Sequence, residues 1–108
     1  MKDNTILTNL YTPITLEPNH ISVALSDAHH PIFQAHFPNN PLLPGFVLLD
    51  MSAKLLHVKI KRIQKAKFLK PILPKSLLHF HSEAKEKRLK IVVKVMEEKV
   101  AELVYETD

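Results

Sequence analysis

A histidine, a glycine and an aspartate share one short stretch of this chain, FQAHFPNNPLLPGFVLLDMSAKLL, residues 33–56. His36 lies among Pro31, Pro38, Pro41 and Pro44, whose rings fix the backbone around it. An imidazole there is suited to taking and returning a proton near neutral pH. Asp50 is an acid in an otherwise apolar run, flanked by Leu48, Leu49 and Met51. A carboxylate in such surroundings is costly unless it is paired, hydrogen-bonded or able to hold a proton, and holding a proton is how a general acid is set up. The alternative is that Asp50 faces solvent or caps a local turn. Gly45 stands where the proline-rich stretch meets the apolar run. A helix starting there leaves its first N–H groups unpaired and attractive to negative charge, and a residue without Cβ lets a ligand carbonyl come close. The other reading of Gly45 is a turn residue with positive φ. Together the three residues form a possible set of base, acid and oxyanion-binding N–H. A separate pair, His79-x-His81, shares one face of a strand and is a feasible pair of metal ligands, but no third ligand and no HExxH motif accompany it. His29-His30 reads as loop surface near the site, and His57 as a residue on the exposed side of a helix.

The elements that must hold these residues follow from periodicity. Residues Ile14 to Leu25 alternate apolar and polar, which predicts strand, and Pro18-Asn19 interrupts them as a turn. From Ser26 to Pro44 the chain is rich in Pro, Asn, Asp and His, which predicts an ordered loop with no regular element. FVLLDMSAKLLHVKI, residues 46–60, then places Phe46, Leu49, Ala53 and Leu56 on one helical face and Leu48, Met51, Leu55 and Val58 on an adjoining one. So wide a stripe predicts a helix buried on most sides, with Pro44 suited to its first turn. Strands are predicted over Ile60 to Leu69, Leu77 to Ala84, Leu89 to Met96 and Val100 to Tyr105, separated by the turns at Pro71 and Pro74, Glu86-Lys87-Arg88 and Glu97-Glu98-Lys99. The fold class is α+β: one helix lying on a curled antiparallel sheet.

Composition sets the outer limits. The 108 residues are 45% hydrophobic and 24% charged, which excludes a disordered or collagen-like chain. Zero cysteines exclude disulfides, thiolate zinc sites and a cysteine nucleophile. There is one glycine, where average usage gives about seven or eight. Most turns are therefore made without glycine, and the exception calls for a specific reason. The longest apolar stretch, Leu42 to Leu49, contains Pro44 and Gly45 and stops at Asp50, far short of a membrane span. The first residues, MKDNTILTNLYTPITL, carry no apolar core of signal-peptide length, so a cytoplasmic location is expected. Net charge is +4, and eight Lys or Arg residues with no acid lie between Met51 and Ser82. Such a block predicts either a solvated face or an acidic partner.

His36-Phe37-Pro38-x-x-Pro41-x-x-Pro44-Gly45, followed by Asp50, resembles the active-site segment of the FabA/FabZ-type 3-hydroxyacyl-[acyl-carrier-protein] dehydratases. A weaker similarity runs from about Ser22 to Glu106, including Lys65 to Pro74 after the helix. The resemblance implies a hotdog fold over residues 1–108, an antiparallel sheet wrapped around a long central helix, in a minimal version without the N-terminal extension of many relatives. It implies that His36 is the catalytic histidine, that Asp50 occupies the position of the catalytic acid, and that the Gly45 N–H binds the thioester carbonyl. It implies dimers, or dimer-based oligomers, in which the histidine of one subunit meets the acid of the other. It implies no cofactor beyond the phosphopantetheine of the acyl carrier protein, and no metal. Phe33, Phe37, Leu42, Leu43, Pro44 and Phe46 are then candidates for lining an acyl tunnel, with core packing as the alternative. Three positions depart from the family pattern: Ala35 and Asn39 stand where glycines are usual, and Lys54 stands where glutamine orients the acid. Lys54, one turn from Asp50, is expected to pair with it.

The resemblance also gives the basic block a candidate partner, because acyl carrier proteins are acidic and a positive rim steers their docking. The reaction expected is dehydration of carrier-bound 3-hydroxyacyl thioesters in fatty-acid or polyene-type lipid biosynthesis. Two other readings remain in view: a hotdog thioesterase, and a catalytically weak acyl-binding subunit. Nucleic-acid binding is least supported, since Phe68 is the one aromatic interleaved with the basic block.

Overall fold

The computed structural model describes residues 7–35 and 39–108. Strands β1 (Tyr11–Glu17) and β2 (His20–Leu25) form a hairpin around Pro18-Asn19. Helices α1 (Pro31–Ala35) and α2 (Gly45–Leu56) follow, then strands β3 (Ile60–Phe68), β4 (Leu77–Lys85), β5 (Arg88–Val95) and β6 (Glu98–Thr107). The six strands make one antiparallel sheet in the order β1-β2-β4-β5-β6-β3. The expected α+β arrangement is present, with β4, β5 and β6 as the meander and β3 returning to the far edge beside β6.

Register explains which face is buried. Ile21 opposes Phe80, Phe80 opposes Val93 and Val93 opposes Ala101, so these side chains stand on one face, joined by Leu78, Ile91, Leu103 and Tyr105 at alternate positions. All of them are buried in one core with Val47, Leu48 and Met51 of α2. Ser52 Oγ lies 2.6 Å from Tyr105 Oη, which places α2 against this face.

Two expectations about helices are corrected. The stretch from Ser26 to Pro44 contains α1, because Pro31 occupies the first helical position, where a missing N–H costs nothing. The helix after Gly45 is 12 residues long and ends at Leu56, short of the long central helix expected, whose apolar faces extend in the sequence as far as Val58. It ends in a Schellman arrangement: His57 adopts φ 54°, ψ 43°, its N–H bonds to Lys54 O, and the Val58 N–H bonds to Ala53 O at 3.1 Å. The β-branched residues that follow then open β3.

Glycine is absent from every left-handed position. Asn9, His57, Lys75, Glu86, Met96 and Glu97 have positive φ, and Gly45 does not. The positive-φ reading of Gly45 is thereby excluded.

Candidate active site

His36, Phe37 and Pro38 lie outside the described residues, so the proposed base and one tunnel residue carry no structural account. The loop that leads from them to α2 is anchored by the Leu43 N–H, which bonds to Ile72 O at 2.9 Å. Pro44 sits at the N-cap with φ −65° and ψ 145° and no side-chain cap. Its carbonyl accepts the N–H groups of Val47 and Leu48 at 3.1 and 3.3 Å. Gly45 is therefore the first residue of the helix, and its N–H is one of those that a helix cannot satisfy internally.

A Cβ built on Gly45 would stand 2.7 Å from Phe68 Cζ and 2.8 Å from Cε2. The tip of the Phe68 ring of β3 points at the helix start, so a side chain at position 45 would have to displace it. This ring is 48% exposed, and Phe46 beside it in sequence is 50% exposed. Aromatic surface is thus exposed beside the helix N-terminus. Phe33, the other aromatic candidate among the described residues, is fully buried in the core on α1, as the packing alternative for it expects. Leu43 is buried too, while Leu42 and Pro44 are half-buried.

Asp50 lies on the exposed side of α2 with Phe46 and Lys54, in steps of four residues along one helical face. The apolar run around it reflects burial of the other faces, through Val47, Leu48, Met51 and Ser52. Lys54 and Asp50 form no ion pair among the described residues. Exposed pairs at this spacing gain little over solvation, and holding two side chains together costs entropy. Asp50 is nevertheless felt through the helix. Burial pushes the Tyr105 phenol above its ordinary value, and the negative charge of Asp50 adds to the rise.

The basic block divides in the structure. Arg62 pairs with Glu106 at 3.1 Å, Lys65 with Glu102 at 3.3 Å, and Lys70 with Glu98, so β6 supplies acids that a local reading of the block does not contain. Lys59, Lys61, Lys67 and Lys75 are exposed, and those of β3 lie along a sheet edge. Lysines on an edge strand also discourage unspecific strand pairing.

The other histidines separate sharply. His30, expected on the loop surface, is buried: its Nε2 donates to Thr8 O at 2.8 Å and its Nδ1 accepts the Ile32 N–H at 3.0 Å, which fixes the start of α1. His57 is exposed, as its position predicted. His79 and His81 do share a face of β4, and the structure adds His20 from β2, directly opposite His81. Partial loss of solvation first, then the neighbouring His20, Lys94 and His79 charges, hold the His81 imidazole below its ordinary value, although the residue as a whole is exposed. His20 is 59 positions from His79, and only strand pairing brings them together.

The sequence profile of the ApeI dehydratase family (ApeI-like) matches residues 14–104. A FabZ 3-hydroxyacyl-[acyl-carrier-protein] dehydratase from Pseudoalteromonas translucida is 36% identical over 56% of this chain and 51% of its own length. Its counterpart from Rhodospirillum rubrum is 30% identical over 71% of this chain and 61% of its own length. The chain therefore spans about half to three fifths of the length of these curated relatives. Among solved structures, the dehydratase heterocomplex ApeI:P from Xenorhabdus doucetiae superposes with a TM-score of 0.66 at 22% identity, covering 89% of this chain and 93% of that one. Thioesterase superfamily member 2 from Mus musculus has the same fold, with a TM-score of 0.64 at 10% identity over 94% and 84% of the two chains. The profile spans His36, the Gly45 helix start and Asp50 together with four of the six strands in full and parts of β1 and β6, and the chain belongs to the ApeI-like dehydratase family of the hotdog fold.

Proposed function

We propose that this chain dehydrates 3-hydroxyacyl thioesters carried on acyl carrier protein to trans-2-enoyl thioesters. The observation that carries the reading is membership of a dehydratase family across the stretch that holds His36, Gly45 and Asp50. His36 takes the proton from C2, and the resulting electron pair forms the C2–C3 double bond. The C3–O bond breaks, Asp50 in its protonated form donates to the departing hydroxyl, and water leaves. The proton held by His36 then returns to Asp50 through solvent. The Gly45 N–H, at the positive end of the α2 dipole, holds the thioester oxygen as it gains negative charge. Phe46 and Phe68 supply apolar surface beside that N–H for the acyl chain.

Asp50 points away from the core of its own chain, which supports a site completed by a second subunit across the Phe46-Asp50-Lys54 face of α2. The exposed lysines of β3 fit an acidic carrier protein. A fatty-acid or polyene-type product is the pathway this substrate implies.

The test is turnover. Purified protein with a 3-hydroxyacyl-carrier substrate should yield the conjugated enoyl thioester, detected by absorbance and mass. His36→Ala and Asp50→Asn should each abolish it. No conversion in either direction across chain lengths sinks the dehydratase reading in favour of an acyl-binding subunit, and release of free carrier thiol would indicate a thioesterase. A fully active Asp50→Asn variant would overturn the acid assignment.

A further inference from the structure

On the face of the sheet turned away from α2, three imidazoles stand together. His20 opposes His81 across β2 and β4, and His79 lies two residues along from His81 on the same face. Phe80 between them belongs to the core face, so the recess and the proposed active helix lie on opposite sides of the sheet. The His20 ring stacks on His81 at 4.7 Å and on His79 at 5.2 Å between centroids. His20 Nε2 and His79 Nδ1 are 2.9 Å apart and share one proton. Lys94, Met96 and Glu97 complete a recess of about 470 Å³ around the three rings. Glu17 Oε1 lies 3.7 Å from His20 Nδ1 on the outer side.

We propose that His20, His79 and His81 form a three-imidazole site for a late first-row divalent metal, zinc, nickel or copper. A His-x-His pair on one strand with a third histidine on the neighbouring strand presents three nitrogens from one side, leaving further positions for water or for the Glu97 carboxylate. As the rings stand they stack, and no three donors among the described residues share a metal-sized centre. For His20 and His79 the rearrangement needed is small. Ligands about 2.0–2.1 Å from a tetrahedral ion are about 3.3 Å apart, a few tenths of an ångström more than the present His20–His79 separation. The ion takes the place of the shared proton, His79 carries its own proton on Nε2, and Glu17 faces the Nδ1–H of His20, leaving Nε2 free to bind. His81 is exposed and turns about its side-chain torsions to add the third nitrogen. Imidazole nitrogens in a recess with lysine nearby suit these metals and not calcium or magnesium, which require oxygen ligands.

The test titrates chelator-treated full-length protein with Zn²⁺, Ni²⁺ and Cu²⁺ separately at pH 7.5, by calorimetry, with no use of enzymatic activity. One ion per chain is expected. His20→Gln, His79→Gln and His81→Gln should each weaken binding by at least about tenfold. His29→Gln and His57→Gln, at exposed histidines elsewhere, should leave it unchanged. The Cu²⁺ complex should show hyperfine coupling to more than one imidazole nitrogen in its electron paramagnetic resonance spectrum, a readout that distinguishes ligation from a folding defect. Absence of binding, or binding that survives all three substitutions, overturns the proposal.

Discussion

Gly45 and Tyr105 each have a role decided by one contact. The Phe68 ring occupies the space where a Cβ on residue 45 would stand. Gly45→Ala must push that ring aside, and because the ring is half-exposed the cost should be about 1 kcal/mol, at the low end of overpacking effects. In a Phe68→Ala background the same substitution should be neutral or slightly stabilising, since alanine suits a helix better than glycine. A double-mutant cycle by urea unfolding measures this, and equal costs in both backgrounds would place the reason for the glycine elsewhere. Tyr105 is the largest fully buried side chain, and its hydroxyl meets Ser52 Oγ. Ser52 has one hydroxyl proton and donates it to Leu49 O at 2.9 Å, so Tyr105 is the donor in the pair. Tyr105→Phe therefore leaves Ser52 satisfied and should cost about 1 kcal/mol. Because burial raises the Tyr105 value, the native state keeps its proton when the unfolded chain loses it. The tyrosine's contribution is whole below the unfolded value of about 10 and is lost as pH rises through the folded one. Stability should thus fall more steeply above pH 10 in the parent than in Tyr105→Phe, measured as unfolding midpoint against pH. Tyr11, raised by burial as well, adds the same slope to both proteins.

Turns show where local sequence governs an element and where it does not. Met96 and Glu97 join β5 to β6 as a two-residue loop with φ 51° and 67°, the signature of a type I′ turn, which favours Asn-Gly. With Met and Glu there, each residue carries strain that a chain this poor in glycine accepts. The double substitution Met96→Asn with Glu97→Gly should raise stability by about 1–2 kcal/mol, seen as a higher thermal midpoint. An unchanged or lower midpoint would mean that the Met96 and Glu97 side chains contribute contacts outweighing the strain. The strands and their turns were legible because alternation and turn residues act over a few positions: Pro18-Asn19 and Glu86-Lys87 lie where the pattern put them. Helix α1 was hidden by reading Pro31 as a breaker when it opens the helix. The end of α2 was hidden because His57 takes a conformation usually held by glycine. Beyond that range local reading fails for one physical cause. Phe68 against Gly45, Glu102 against Lys65 and His20 against His79 are contacts made by sheet register, and no short pattern encodes them. The candidate site was legible to the extent that it is local, from the Pro44-Gly45 helix start to Asp50. The solvent-facing position of Asp50 was one of two local readings, and packing decides between them: Val47, Leu48, Met51 and Ser52 are buried and leave the Asp50 stripe open.

At the scale of the whole molecule, the proposed two-chain site rests on that open stripe. Phe46 is 50% exposed and Asp50 stands one turn beyond it, on the side of α2 that the chain's own sheet does not cover. In the proposed dimer a two-fold pair of chains meets there, and each Asp50 faces the His36 of its partner, as the dehydratase resemblance implies. The arrangement makes a quantitative prediction. His36→Ala and Asp50→Asn proteins, each inactive alone, should regain activity when unfolded together and refolded as a mixture. A mixed dimer holds one site built from two intact residues and one site lacking both. With random pairing of equal amounts, half of the dimers are mixed and half of their sites are intact, so about a quarter of parental turnover should return. Light scattering on the same samples should show a dimer or a multiple of it. If each chain carries its own complete site, the mixture stays as inactive as its components whatever its oligomeric state. Recovery near a quarter, with no recovery when either variant is refolded alone, would place His36 and Asp50 of each working site on different chains.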